Sequence, residues 1–341
     1  MKTPGSGEDA ICGALHWPVL LADIGGTNAR FALQTAEGRF VAVAALMLAA
    51  YTGVRAAVAA YLSSEPVLAF CSGPIRHAAL AVANPVDSDT VKLTNGHWQF
   101  SIEALRLELG LETLLVVNDF AALAMSLPHL APHQRSKIGG GTEQADGVRG
   151  LVGAGTGLGV SGLIFAGDRW LPLAGEGGHV SFAPFDEAEI ALLRFCWREH
   201  GHVSAERLLS GAGLELLCRA LADADGEAAL LAPRAAQIVQ RALDGSCARC
   251  VKAVEVFCGL LGSVAGNLAL TLGASGGVYI GGGISPRLGS LFVNSPFRAR
   301  FEAKGRFAAY LERIPTYLIT EPYPAFPGIA VMLAEHLAAG H

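Results

Sequence analysis

Three observations on the sequence predict an α/β chain of two domains. Its 341 residues exceed one typical domain, and division by about 150 residues per domain gives two. Apolar strand-like runs end three times in glycine clusters, at Gly25-Gly26, at Gly153 to Gly159 and at Gly281 to Gly283. A short buried strand, Leu114 to Val117, passes at once into the helical run Phe120 to Leu127.

Composition narrows the class. The chain is 52% hydrophobic and 16% charged with a formal charge of −5, and its mean hydropathy is +0.41. A disordered chain would be charge-rich and poor in aliphatic residues. The longest apolar run, Val41 to Tyr51, falls short of the roughly 20 residues needed to span a bilayer. The stretch Phe257 to Ile280 is interrupted by Asn267, by Ser and Thr, and by glycines, so no membrane partner is expected. Mild acidity argues against a nucleic-acid partner, which would want a basic face. Met1 to His16 has two acidic residues and no continuous apolar segment, which reads as an N-terminal extension rather than a signal peptide. Cys71, Cys196, Cys218 and Cys258 sit inside apolar helical or strand-like runs, and seven cysteines is an odd number. Buried unpaired thiols fit a reducing compartment, and the cytoplasm is the expectation.

The 42 glycines stand well above the roughly 7% average usage, with no collagen-like period. The first cluster follows Val19-Leu20-Leu21-Ala22 as Asp23-Ile24-Gly25-Gly26-Thr27-Asn28-Ala29-Arg30 and leads into Phe31-Ala32-Leu33. The second follows Gly150-Leu151-Val152 as Gly153-Ala154-Gly155-Thr156-Gly157-Leu158-Gly159 and leads into Val160 to Phe165. Both read strand, Gly/Thr turn, strand, with Thr27 and Thr156 at equivalent places. Such a turn gathers backbone N–H groups into a concavity that suits anionic oxygen, and the threonine hydroxyl adds a donor. The third, Gly281-Gly282-Gly283-Ile284, ends the run Gly277 to Ile280. No P-loop string occurs. A Rossmann fingerprint is formally met by Gly157, Gly159 and Gly162, but it must open a helix, and Gly162 to Phe165 continues as a strand.

Polar groups cluster near these turns. Asn118-Asp119 follows the strand Leu114 to Val117. It reads equally as a helix N-cap and as a carboxylate at the end of a strand, where open α/β sheets place ligands. Glu176 and His179 are separated only by glycines. Without nearby thiolates or further carboxylates they do not make a zinc site. They suit a polyhydroxyl ligand, since a carboxylate accepts from neighbouring hydroxyls and histidine donates or accepts. Glu206, in Ser204 to Gly211, reads on its own as a carboxylate complementing a helix dipole. Cys247-Ala248-Arg249-Cys250 has no second pair and no strand-helix-strand context, and reads as two thiols near a helix start.

Taken together, these residues resemble a bacterial glucokinase of the hexokinase group, of the zinc-free type. The resemblance runs from about Val19 to Ala338. It is carried by Leu21 to Arg30, Leu93-Thr94-Asn95-Gly96-His97-Trp98, Val117 to Phe120, Gly153 to Gly159, Gly175 to Pro184, Glu206 to Gly211 and Tyr279 to Ile284. It implies an actin-like ATPase (ribonuclease-H-like) fold, two α/β domains with a central cleft. The small domain would comprise 17–130 plus 324–341, including a helix near Gly328 to Ala339, and the large domain 131–323, with 1–16 as the extension. By resemblance the activity is ATP-dependent phosphorylation of glucose to glucose 6-phosphate. Asn118, Asp119, Glu176, His179 and Glu206 would hold the sugar, and Asp119 would be the catalytic base. Ala22, Asp23, Ile24, Gly25, Gly26 and Thr27, with Gly155, Thr156, Gly157, Gly281, Gly282 and Gly283, would face ATP. Asp23 would hold Mg²⁺ through water, although an Asx-type turn at the same residue is compatible with that.

The resemblance further implies a homodimer. The extension before Trp17 exceeds the usual family start, and His97 lies in a variable loop and is given no role. The related zinc-containing repressor and kinase group carries a cysteine-rich motif soon after its histidine. Phe182 to Phe195 has no cysteine, so no zinc is carried over. Alternative readings are a kinase for fructose or mannose, a non-catalytic sugar-sensing regulator, and an actin-like or chaperone-type ATPase. The regulator would need a DNA-binding helix-turn-helix, and too few residues precede the first strand. Glu176, His179 and Glu206 speak against an ATPase without a sugar site.

Overall fold

The computed structural model describes residues 17–71, 73–93, 96–227 and 233–340. The extension Met1 to His16, and Thr94 and Asn95 of one motif, lie outside the described residues. The chain divides into two compact units. One takes the described residues up to Leu130 together with those from Tyr323 on, and the other is Ala131–Pro322.

The first unit is built on β1 (Val19–Ile24), β2 (Asn28–Ala36), β3 (Arg39–Met47), β4 (His77–Val82) and β7 (Thr113–Asn118), in the sheet order β3-β2-β1-β4-β7. A separate ribbon pairs β5 (Thr90–Lys92) with β6 (Gln99–Ser101). β1 to β3 form an antiparallel meander, whereas β1, β4 and β7 are parallel. Central parallel strands are covered on both faces, which explains their near-continuous apolar sequence. Alternation assigns the faces. Leu20, Ala22 and Ile24 pack with Val54, Ala57, Val58 and Tyr61 of helix Val54–Leu62. Val19 and Leu21 pack with Phe326, Ile329 and Leu333 of helix Ala325–Ala338. That helix crosses helix Asp119–Ser126 so closely that a Cβ on Gly328 would meet the Ala122 carbonyl oxygen at 1.8 Å. The apolar run Val41 to Tyr51 is the outer strand β3 and a single 3₁₀ turn, Leu48–Ala50.

The second unit repeats the same order with one added strand. β8 (Arg135–Ile138), β9 (Arg149–Ala154), β10 (Leu158–Ala166), β11 (Arg169–Gly175), β12 (Val278–Gly281) and β13 (Thr316–Ile319) line up as β11-β10-β9-β12-β13-β8. Again an antiparallel meander, β9 to β11, places its first strand beside two parallel strands, β12 and β13. The expected two-domain α/β fold is therefore present as one topology used twice. Gly162 lies inside β10, which accounts for the formal dinucleotide fingerprint as strand sequence. Helix Ala248–Leu272 is long and apolar enough to cross a membrane by length and composition, but 61% of its most apolar window is buried within the protein. Its Phe257, Cys258 and Leu261 join Val152, Val278 and Ile280 in one core.

Cys196, Cys218 and Cys258 are buried, as expected of thiols in apolar runs. Cys71 is not: it follows helix Glu65–Leu68 in irregular backbone and is partly exposed. Its apolar run turns at Ala69-Phe70 instead of continuing as a helix.

Gly328→Ala is expected to destabilise the protein by about 1–3 kcal/mol, the usual cost of forcing volume into a packed contact. Gly201, where an added Cβ meets nothing within 4 Å, should tolerate alanine within about 0.5 kcal/mol. Denaturant midpoints of both variants check the pair; equal midpoints would contradict the close crossing.

Candidate active site

In the first unit the candidate residues gather where the parallel strands end. Ile24, Val82 and Asn118 are aligned in register across β1, β4 and β7. The ends of β1 and β7 are thus two strand spacings, about 10 Å, apart. Ala22 and Ile24 are buried, and Asp23 between them points the other way with its carboxylate 18% exposed. Hairpin register sets Asp23 opposite Arg30, whose Nη1 donates to Asp23 Oδ2 at 2.9 Å. Burial pushes the Asp23 carboxyl up, and the Arg30 guanidinium opposes that shift. The turn Gly25-Gly26-Thr27 is closed by Gly25 N–H donating to Asn28 O at 3.0 Å, and Leu48 N–H holds the Thr27 carbonyl at 3.0 Å.

The N-cap reading holds for Asn118, and Asp119 stands just beyond the end of β7. Asn118 is the N-cap of helix Asp119–Ser126, its Oδ1 accepting from Ala121 N–H at 3.0 Å. Its Nδ2 donates to Asn84 O at 3.2 Å, which leaves the amide little freedom to turn. Asp119, in the first helical turn, accepts from Phe120 N–H through Oδ1 at 2.8 Å and is partly exposed at the strand end.

In the second unit the remaining residues converge on the turn between β9 and β10. Gly155 N–H donates to Gly157 O at 2.8 Å. Counted back from the closing acceptor, Thr156 occupies the place that Thr27 holds in the first unit, whose turn is one residue longer. Three elements brace this turn. Gly211, opening helix Gly211–Ala224, donates its N–H to Gly155 O at 2.9 Å. Glu206 Oε2 accepts from Leu158 N–H at 2.9 Å. Ile284 N–H donates to Ala154 O at 3.1 Å, which seats Gly281-Gly282-Gly283 against the end of β9. Gly282 has φ +80°, and a Cβ there would lie 2.3 Å from Ala154 O, so only glycine fits.

Glu176 and His179 bracket a 3₁₀ turn, Gly177–His179, directly after β11. Their side chains are 63% and 60% exposed, with His179 Nε2 3.9 Å from Glu176 Oε2. The backbone just beyond pairs with the segment before Glu206, through Ala205 N–H to Val180 O and Phe182 N–H to Val203 O, both 2.9 Å. Glu176, His179, Glu206 and the two glycine turns of this unit therefore occupy one edge.

The carboxylate reading of Glu206 as a helix-dipole group is incomplete. It sits in the first turn of helix Ala205–Leu208, capped by Ser204, but its hydrogen bond is to the glycine turn 48 residues earlier. Sequence reasoning missed this tie, and also Arg30, Asn84 and Gly211. Arg30 alone had a signal: in a hairpin that pairs Ile24 with Ala29, residue 23 must face residue 30. Among the described residues no group of three or more His, Cys, Asp or Glu could hold a metal ion. Mg²⁺ bound chiefly by phosphates and water needs only one or two carboxylates. A partly exposed Asp23, with one oxygen engaged by Arg30, fits that requirement.

The sequence profile of the family described as Glucokinase matches residues 20–336. The chain is 54% identical over 323 residues to a glucokinase of Chromobacterium violaceum, covering 94% of this chain and 91% of that protein. It is 55% identical over 321 residues to the bifunctional protein glk of Burkholderia pseudomallei, covering 94% of this chain and 49% of that protein. The chain thus spans about half the length of such two-function relatives. Among solved structures, a glucokinase from an Antarctic psychrotroph is 37% identical with a TM-score of 0.81, covering 94% of this chain and all of that one.

Glu206→Ala is expected to leave the Leu158 N–H without its acceptor. Losing the partner of a partly buried donor costs about 1–3 kcal/mol, so exchange of the Leu158 amide should quicken on the order of 10- to 100-fold. Hydrogen exchange read at that residue is the check; unchanged protection would remove Glu206 from the bracing of the turn.

Proposed function

The chain belongs to the glucokinase family, and we propose that it transfers the γ-phosphoryl group of Mg·ATP to the primary hydroxyl of glucose, with Asp119 as general base. The observation that carries this reading is the pairing of two features on one strand edge. A carboxylate, Asp119, directly follows β7 at the head of the next helix, and a Gly/Thr turn follows β1 two strands away.

Phosphoryl transfer asks mainly for in-line positioning and charge stabilisation. Asn118 and Asp119 orient the acceptor hydroxyl, with Asn118 locked between Ala121 N–H and Asn84 O. A carboxylate is a weak base beside an alkoxide, so the proton moves to Asp119 late, as the new oxygen–phosphorus bond forms. Orientation of the oxygen therefore supplies much of the gain. Glu176, His179 and Glu206 supply further acceptors and donors for sugar hydroxyls. The turns at Gly25 to Thr27, Gly155 to Gly157 and Gly281 to Gly283 present backbone N–H groups and threonine hydroxyls to phosphate oxygens. No lysine lies in these segments, which leaves the stabilisation to oriented dipoles and the metal. Mg²⁺, when bound with the nucleotide and held through water by Asp23, would neutralise phosphate charge.

Buried, unpaired thiols support a cytoplasmic setting, and the family resemblance supports a homodimer.

Asp119→Asn preserves size and shape while removing the base. Turnover should fall by about 10²- to 10⁴-fold, with glucose still binding in a calorimetric titration. A coupled ADP-release assay reads the turnover, and near-normal activity would take Asp119 out of the role.

A further inference from the structure

The thiols at the start of helix Ala248–Leu272 are not used by the chemistry above. Cys247 is the N-cap of that helix, and its sulfur accepts from the Cys250 N–H at 3.4 Å. That backbone contact ties the two cysteines together across the first helical turn, and helix Gly211–Ala224, which carries Cys218, packs on the same helix. Cys250 and Cys218 are 1% and 4% exposed, whereas Cys247 is partly open to solvent. The cluster is therefore a row with one outer sulfur and two inner ones. No strand-helix-strand unit surrounds it, yet the first turn of a long helix holds both cysteines in reach of one another.

The surroundings make the outer and inner sulfurs chemically unequal. Hydrogen bonds from the Cys250 thiol and from the backbone N–H groups of Cys250 and Arg249 hold the Cys247 thiol below the usual thiol range, and the Arg241 charge adds to this. Burial pushes the Cys250 thiol up to about 12 and raises that of Cys218 as well. A thiol of lowered pKa with solvent access is the attacking partner in exchange chemistry, and a buried neighbour is the resolving one.

We propose that Cys247 and Cys250 form a reversible redox site that exchanges with small-molecule disulfides. The Cys247 thiolate attacks one sulfur of the small disulfide. That sulfur–sulfur bond breaks, one half leaves as a thiolate, and the other stays bonded to Cys247. The Cys250 sulfur then attacks Cys247 Sγ, the mixed bond breaks, and the second half leaves. Two protons pass from the cysteines to the two departing sulfurs. The protein dithiol is oxidised by two electrons, and the small disulfide is reduced to two thiols. Cys218, buried on the neighbouring helix, takes no part in the exchange.

The test uses the full chain, reduced and then incubated with oxidised glutathione. Trypsin cuts after Arg249, between the two cysteines. A Cys247–Cys250 disulfide thus holds together two peptides that dithiothreitol separates, and mass mapping reads this directly. Cys250→Ser should stop at a glutathione adduct on Cys247, and Cys247→Ser should give neither product. Cys247 should also alkylate about tenfold faster than Cys71, which lacks helix N–H donors to its sulfur. The proposal is overturned if the wild-type peptides stay separate, if the adduct persists on wild-type Cys247, or if the bond forms to Cys218. The wild-type mapping decides the matter even where a variant fails to fold.

Discussion

A strand buried on both faces can expose a polar side chain only where it ends, and the rest of this structure depends on that constraint. β4 is buried along its whole length, and β1 along nearly all of it. Apolar side chains fill both faces of the sheet, so Asp23, Asn118 and Asp119 are confined to the carboxyl ends of β1 and β7. Parallel pairing through β4 then fixes these ends in one row. The second unit obeys the same rule: β9 and β12 are buried throughout, and their ends carry Gly155 and Gly281 to Gly283. One topology used twice gives two glycine turns in equivalent places, each following the first strand of a meander.

Neighbouring elements grip the glycine turn of the second unit. Gly211, Glu206 and Ile284 each hold a different backbone group of the β9–β10 connection. Fixed donors stabilise developing charge without reorganising when the charge appears. This offers a physical reason why the proposed phosphate site can work with no lysine in its motifs. It also gives Glu206 two duties, a hydrogen bond to the turn through one oxygen and a proposed sugar contact at the same edge.

Much of the framework was legible in the sequence. Strand-turn-strand patterns around Thr27 and Thr156 gave the two hairpins, and Asn118-Asp119 at a strand-to-helix junction gave both a cap and a candidate base. These are local signals, written in neighbouring residues. What could not be read were contacts set by chain folding. The Glu206 tie to Leu158 spans 48 residues, and the Asn118 tie to Asn84 spans 34. Likewise, Cys218 meets Cys250 only because two helices pack together. Cys71 shows the opposite failure, an apolar run taken for regular structure that turns and leaves its thiol partly exposed.

The central claim is that strand-end polar groups and glycine turns together direct a phosphoryl group to one sugar hydroxyl. Product analysis by phosphorus and carbon NMR, after incubation with Mg·ATP and glucose, tests it most directly. The account predicts glucose 6-phosphate with one ADP formed per sugar, and no transfer to 6-deoxyglucose. ADP formation at the same rate without sugar, or phosphate on a ring hydroxyl, would contradict it.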